Sequence, residues 1–518
     1  MSKEESLSLI NKKLEEGDYD NAIKLLNSEI ALDTENGQLF NLRGHAYHAI
    51  KSYKKAIQDF DSAGRFIELD TLSLSKRGQA KFELKEFDNA LDDLNNALEK
   101  DLIEALNWSS KEKIELQGQI HSAKALCRYQ KEDYKHAIED FTKAINFLSS
   151  ESTQPICKEL LDTCLFKRGD SNYAIGDYET AMEDYTKAIN LNPKNPEYFE
   201  RRGLAKFIIK ENKSAIEDFN KAIELDQNND SLYSSRGLAN HAIKEYKLAM
   251  EDYIKAINLN PKNPEYLENR AYTRREIGDI SGAVEDNTLA INLDPSNPKL
   301  YWIRANFKCE LNSFEEAMKD INCAINLDSN NFEFFRLRGL INMNQNKFED
   351  AIANFNKAIE LDQNNASLYS SRGLAKGGIN NSSGAILDYT SAINLDPKNP
   401  YHYMCRGNEQ SIYLKNYKEA ILDFNSALNL DPYYSAEAYN ARGVAKSYLK
   451  DFIGARQDYL QALEMDCNYQ VAKDNLKAIE NDRNFQVAKD NVKNISKTVL
   501  KSFFPKTREF FRKFKKEL

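Results

Sequence analysis

Apolar residues along this chain recur three, four and seven positions apart in stretches of about 12–15 residues, separated by polar turns. That spacing predicts amphipathic helices almost throughout. The helices come in pairs, and the pairs repeat. In motifs such as "SAIEDFNKAIELD" one alanine recurs at Ala22, Ala56, Ala90, Ala137, Ala181, Ala215, Ala249, Ala283, Ala317, Ala351, Ala385, Ala420 and Ala455, mostly 34 residues apart. Seven residues later stands another alanine, from Ala63 to Ala462, in every copy but the first, which has Glu29. Twelve residues earlier (thirteen at Gly407) sits a glycine in nine copies, replaced elsewhere by Ala125, Ala271, Ala305 and Ile10. Small residues at fixed places let two helices of a pair approach closely. A single pair cannot bury its apolar stripe, whereas a stack of pairs can, which predicts an elongated all-α solenoid.

Punctuation agrees with the pattern. Asn195-Pro196, Asn263-Pro264, Asn297-Pro298 and Asn399-Pro400 read as helix starts, with asparagine capping and proline at the first helical position. Pro193, Pro261, Pro295, Pro397 and Pro432 fall where second helices should stop.

The period, the small-residue columns and the terminal prolines resemble the tetratricopeptide repeat family over roughly residues 3–466. The resemblance implies thirteen helix pairs in a right-handed superhelix whose first helices line a concave groove. On that reading residues 3–36 are a degenerate amino-terminal cap. Residues 37–466 form the solenoid, with insertions near 101–114 and 149–158. "NYQVAKDNLKAI" is echoed sixteen residues on by "NFQVAKDNVKNI", which predicts a capping helix over 467–500, and 501–518 is a basic amphipathic tail.

One column departs from the family. Where a large apolar residue usually precedes the glycine, this chain has an arginine in eleven repeats and Lys124 in a twelfth. The second helices carry a matching column of aspartates, with Asn354 in one repeat. Both charges are missing from the first repeat, which has Leu9 and Leu25. Antiparallel helices crossing at the glycine bring the two columns toward the same end, so Arg202 with Asp218, Arg236 with Asp252 and Arg372 with Asp388 are expected to pair as an architectural ladder. The alternative is a solvated charged face.

Composition narrows the function. Charged residues make up 29% of 518 and apolar residues 41%, as in ordinary soluble proteins, and a net charge of −9 disfavours nucleic acid. Seven scattered cysteines without a CxxC motif suggest free thiols rather than disulfides or zinc, hence a reducing compartment. The opening residues lack the apolar core of a secretory signal, so a cytoplasmic location is expected. Phosphate-loop and HExxH motifs are absent, His45 and His48 have no second ligand pair nearby in sequence, and each acidic cluster belongs to a repeated column. No enzyme and no cofactor is expected.

Function should therefore lie in surfaces that bind other proteins. The resemblance places peptide-contacting residues just after the glycine and one turn on. These columns contain Leu204, Leu238, Tyr272, Leu340 and Leu374, then Phe82, Tyr129, Tyr173, Phe207 and His241. They could hold an extended peptide or a helix, or simply pack between neighbouring first helices. The family's clamp for acidic chaperone tails needs a lysine three residues before the glycine, and no repeat has one, so such a tail is disfavoured. The tail offers a different surface. Residues 493–518 hold nine Lys/Arg against two Glu, leaving −16 for the rest. Phe510, Phe511 and Phe514 recur at helical spacing among Arg512, Lys513, Lys515 and Lys516. This segment suits an anionic membrane surface, which would make the protein a peripheral membrane adaptor; docking on the last repeats and disorder are the alternatives.

Overall fold

The computed structural model describes residues 3–104, 110–150 and 155–480. Among them the chain is all helix, with 27 helices and no strand. It divides into two compact units, residues 1–262 and 263–518. The first holds seven helix pairs, from Lys3–Glu15 with Tyr19–Leu32 to Asp230–Ala242 with Tyr246–Leu259. The second holds six, from Pro264–Glu276 with Ile280–Leu293 to Ala436–Tyr448 with Phe452–Met465, followed by Gln470–Glu480.

Local chemistry sets the repeat. In seven repeats the asparagine before the first helix, as at Asn195, Asn229 and Asn263, accepts a hydrogen bond from the amide two residues on, at 3.0–3.2 Å. This satisfies one of the helix's orphan donors. The first helix then runs 13 residues in most repeats and ends in a turn with one left-handed residue. Gly17, Gly176 and Gly278 take that conformation freely, whereas Lys51, Lys210, Lys244, Asn312 and Asn380 adopt it at a cost of about 1 kcal/mol.

Where the helices of a pair cross, the glycine in most repeats meets the ring of a fully buried aromatic sixteen or seventeen residues on, and Gly78 meets Leu94. A Cβ on Gly203 would stand 2.8 Å from Phe219, on Gly237 2.7 Å from Tyr253 and on Gly373 2.8 Å from Tyr389. The solenoid has no central core. Small clusters, such as Ala215, Phe219 and Ala239 or Ala351, Phe355 and Ala375, each join one repeat to the next.

The insertions near 101–114 and 149–158 lengthen helices. Phe87–Glu104 has 18 residues, Ser110–Gln130 has 21, Tyr134–Ser150 has 17 and Pro155–Ala174 has 20. Parts of both insertions, Trp108 included, lie outside the described residues. So do residues 481–518, which contain Phe510, Phe511, Arg512, Lys513, Phe514, Lys515, Lys516 and most of the expected capping helix.

Candidate functional site

The arginine column touches three neighbours at once. In ten repeats its Nε and Nη2 donate to both oxygens of the aspartate on its own second helix, Nε at 2.7–3.1 Å and Nη2 at 2.6–2.7 Å. Arg202 holds Asp218, Arg236 holds Asp252 and Arg372 holds Asp388 in this way. In nine of these repeats the remaining nitrogen, Nη1, donates to an Asn, Asp or Thr side chain on the preceding repeat, such as Thr186 for Arg202, Asn220 for Arg236 and Asn356 for Arg372; Ile254 holds that position before Arg270. In several repeats the guanidinium also stacks on an aromatic three residues back, 5.8 Å from Phe199, 5.7 Å from Tyr233 and 5.5 Å from Tyr369. Except at Arg270, each of these arginines thus fastens its helix pair and ties it to the previous one.

Two rungs differ. Asp140 was expected opposite Lys124, but Lys124 Nζ stays 3.9 Å away and Arg128, one turn on, donates at 2.6 Å. A point-charge ammonium lacks the planar fork that the other rungs use, and the later arginine supplies part of it. Arg338 faces Asn354, whose Oδ1 accepts from Nε at 2.6 Å. With burial and no carboxylate partner there, the Arg338 guanidinium is pushed below its ordinary range. Asn354→Asp restores the fork and is expected to raise stability by about 1 kcal/mol, read as an upward shift in thermal denaturation.

The ten candidate contact residues on the first helices are all half-buried. In the first unit four members of one column form aromatic pairs with the start of their second helices. Ring centroids lie 5.7 Å apart for Phe82 with Phe87, 5.9 Å for Tyr129 with Tyr134, and 5.3 Å for both Tyr173 with Tyr178 and His241 with Tyr246. Leu204 and Phe207 pack beside Phe219 and Ala239. In the second unit Tyr272 meets Phe307 edge-on at 5.9 Å, Leu340 packs on Phe355 and Leu374 on Tyr389. Each therefore contributes to packing and keeps a partly open face.

A cluster around Asp170 was not singled out from sequence. Asp170 is buried, accepting from Tyr185 at 3.0 Å, Tyr129 at 3.3 Å and Lys167 at 3.2 Å, with Arg201 Nε at 3.8 Å. Lys167 also lies 5.2 Å over the Tyr129 ring. Burial, aided by Asp170, pushes the Tyr129 phenol up to about 12, and burial raises Tyr173 as well, so both remain neutral donors at physiological pH. The sequence signal was the cation two residues before the glycine, at Lys76, Lys167 and Arg201. Other first-helix charges are also matched: Arg275 with Glu310 at 2.6 Å, Lys299 with Glu268 at 2.7 Å, Glu200 with Ser231 at 2.9 Å. Burial holds His48 largely neutral, down to about 4, and His45 shares a 3.0 Å contact with Ser73.

Two family descriptions match parts of this helix-pair array. "TPR repeat" covers residues 169–208, 203–244 and 343–378, and "Tetratricopeptide repeat" covers 231–263 and 436–469. The chain is a tetratricopeptide repeat protein. Proteins built of these repeats are in general interaction scaffolds, typically without enzymatic activity. Curated proteins yield no match to this tetratricopeptide repeat chain. Among solved structures it is similar to the APC/C hetero-tetramer Cut9-Hcn1, at 15% identity, TM-score 0.39, over 91% of this chain and 95% of that one. Yeast Tom70 is similar at 19% identity, TM-score 0.36, over 83% and 98%. A tetratricopeptide repeat protein from Parabacteroides merdae is similar at 20% identity, TM-score 0.41, over 49% and 99%. Among the described residues no helix is long and apolar enough to cross a membrane.

Proposed function

We propose that the first-helix face of the first unit binds an extended or helical segment of a partner protein, chiefly through apolar and aromatic contacts. The observation that carries this reading is the series Phe82, Tyr129, Tyr173, Phe207 and His241, at one position of successive repeats and each partly open to solvent. Lys167 and Arg201 beside the series already face Asp170, and Glu200 accepts from Ser231, so these charges add little pull on a highly charged ligand. A neutral, aromatic-lined strip favours a peptide with apolar anchors and backbone groups free to meet tyrosine hydroxyls. The missing clamp lysine argues against an acidic chaperone tail as that peptide.

Tyr173→Leu combined with Phe207→Leu keeps apolar packing while removing two rings. For a peptide selected by display against the native chain, the pair is expected to lower affinity at least about tenfold with helicity unchanged by circular dichroism. Unchanged affinity in the double variant defeats the proposal.

A further inference from the structure

Most acids buried between helices of this chain meet a cation or an amide donor. The ladder aspartates hold arginines, Asp170 has its cluster, and Asp162, whose Oδ1 is also unpartnered, accepts from Asn192 at Oδ2 and lies beside the Tyr198 hydroxyl. Glu409 combines an unpartnered oxygen with the absence of any cation or amide donor among the described groups around it. It sits on the helix Pro400–Ile412, 5% exposed, two residues after the repeat's glycine, where other repeats place Ala46, Ala80, Ala205, Ala239, Ala375 or Ala445. Its Oε1 has no hydrogen-bond partner among the described residues. The polar groups around it are the Ser382 hydroxyl, the phenols of Tyr389 and Tyr413 and the Cys405 thiol. None is a cation, and burial raises the carboxyl's pKa accordingly.

The preceding repeat brings small residues beside it. Gly377 and Ser382 stand where other repeats carry an aromatic pair such as Tyr173 with Tyr178. A Cβ on Gly377 would lie 3.1 Å from Glu409 Oε2, and one on Gly378 would lie 2.6 Å from the Phe348 ring. Gly377 therefore presents backbone alone to the carboxylate. Tyr413 and Leu414, at the end of Glu409's own helix, are 40% and 47% exposed and offer apolar surface beside the notch.

We infer that this notch takes a lysine or arginine side chain, supplied by the chain's own segment 501–518. That segment supplies the chemistry the notch lacks: seven Lys/Arg against two Glu, together with five phenylalanines. The described chain ends at Glu480, and residues 481–500 can span about 65 Å when extended, enough to pass back over neighbouring helices about 10 Å wide. Tethering raises the local concentration of the segment, so one ion pair with flanking phenylalanine contacts suffices to seat it.

The test is a double-mutant cycle in the full-length chain, between Glu409→Gln and a neutral tail in which Lys501, Lys506, Arg508, Glu509, Arg512, Lys513, Lys515, Lys516 and Glu517 are all replaced by glutamine. With the neutral tail, Glu409→Gln is expected to raise the melting temperature, because it removes a buried charge without a partner. With the native tail it is expected to bring no rise, and to reduce hydrogen-exchange protection of residues 506–518 about tenfold. An equal rise in both backgrounds overturns the inference. So does tail protection that ignores Glu409→Gln, or that arises only on anionic vesicles.

Discussion

Arg236→Leu is expected to destabilise its repeat by about 3 kcal/mol, and adding Asp252→Asn is expected to return much of that loss. The reason lies in what each substitution strands. Removing the arginine leaves the Asp252 carboxylate, whose side chain is 5% exposed, with the single hydrogen bond from Asn240 at 2.9 Å. A buried anion without its cation is the costly state. Asp252→Asn alone strands much less. The guanidinium is 25% exposed, keeps Asn220 and Tyr233, and still meets an acceptor, as Arg338 does opposite Asn354. It should cost about 1 kcal/mol. The second change, destabilising by itself, should thus become stabilising beside the first. Urea unfolding of the four chains, with hydrogen exchange localised to residues 230–259, reads the coupling. Simple additivity would mean that the fork contributes nothing beyond its separate groups.

Much of this arrangement is legible because it repeats. Period, caps, the small columns and the opposed Arg and Asp columns each occur many times, so noise at one repeat does not hide the pattern. The third arginine contact was missed for a physical reason. Its acceptors include Asn220, Asn356, Thr186, Thr390 and Asp61, side chains that share an oxygen at the right height but no residue type. The shift of the Asp140 rung to Arg128 was hidden because Lys124 fills the expected place with the right charge and the wrong geometry. The first-helix residues resist a sequence reading for another reason. A half-buried Tyr173 or Phe207 satisfies a packing demand and a binding demand with the same ring. Glu409 escaped notice because a single acid in an acidic chain carries no pattern until its surroundings are known.

Gly237→Ala is expected to cost about 2 kcal/mol even though alanine is the better helix former. The new methyl would stand 2.7 Å from Tyr253 Cε1 and 3.0 Å from Cζ, and the ring is fully buried with no room to retreat. Tyr253→Ile should cost about 3 kcal/mol by itself, through lost contacts and the cavity left behind. Together they should cost less than the sum, because the shorter side chain vacates the space that the methyl needs. The chain already contains this solution. Where alanine replaces the glycine at Ala305, residue 321 is isoleucine, and at Ala271 residue 287 is asparagine. Ala125 stands opposite Phe141, in the same lengthened repeat whose rung has moved to Arg128. Melting of the two single variants and the double one measures the compensation. Costs that add without relief would mean that the ring and the glycine are set independently, and that the arginine fork alone fixes how closely the two helices cross.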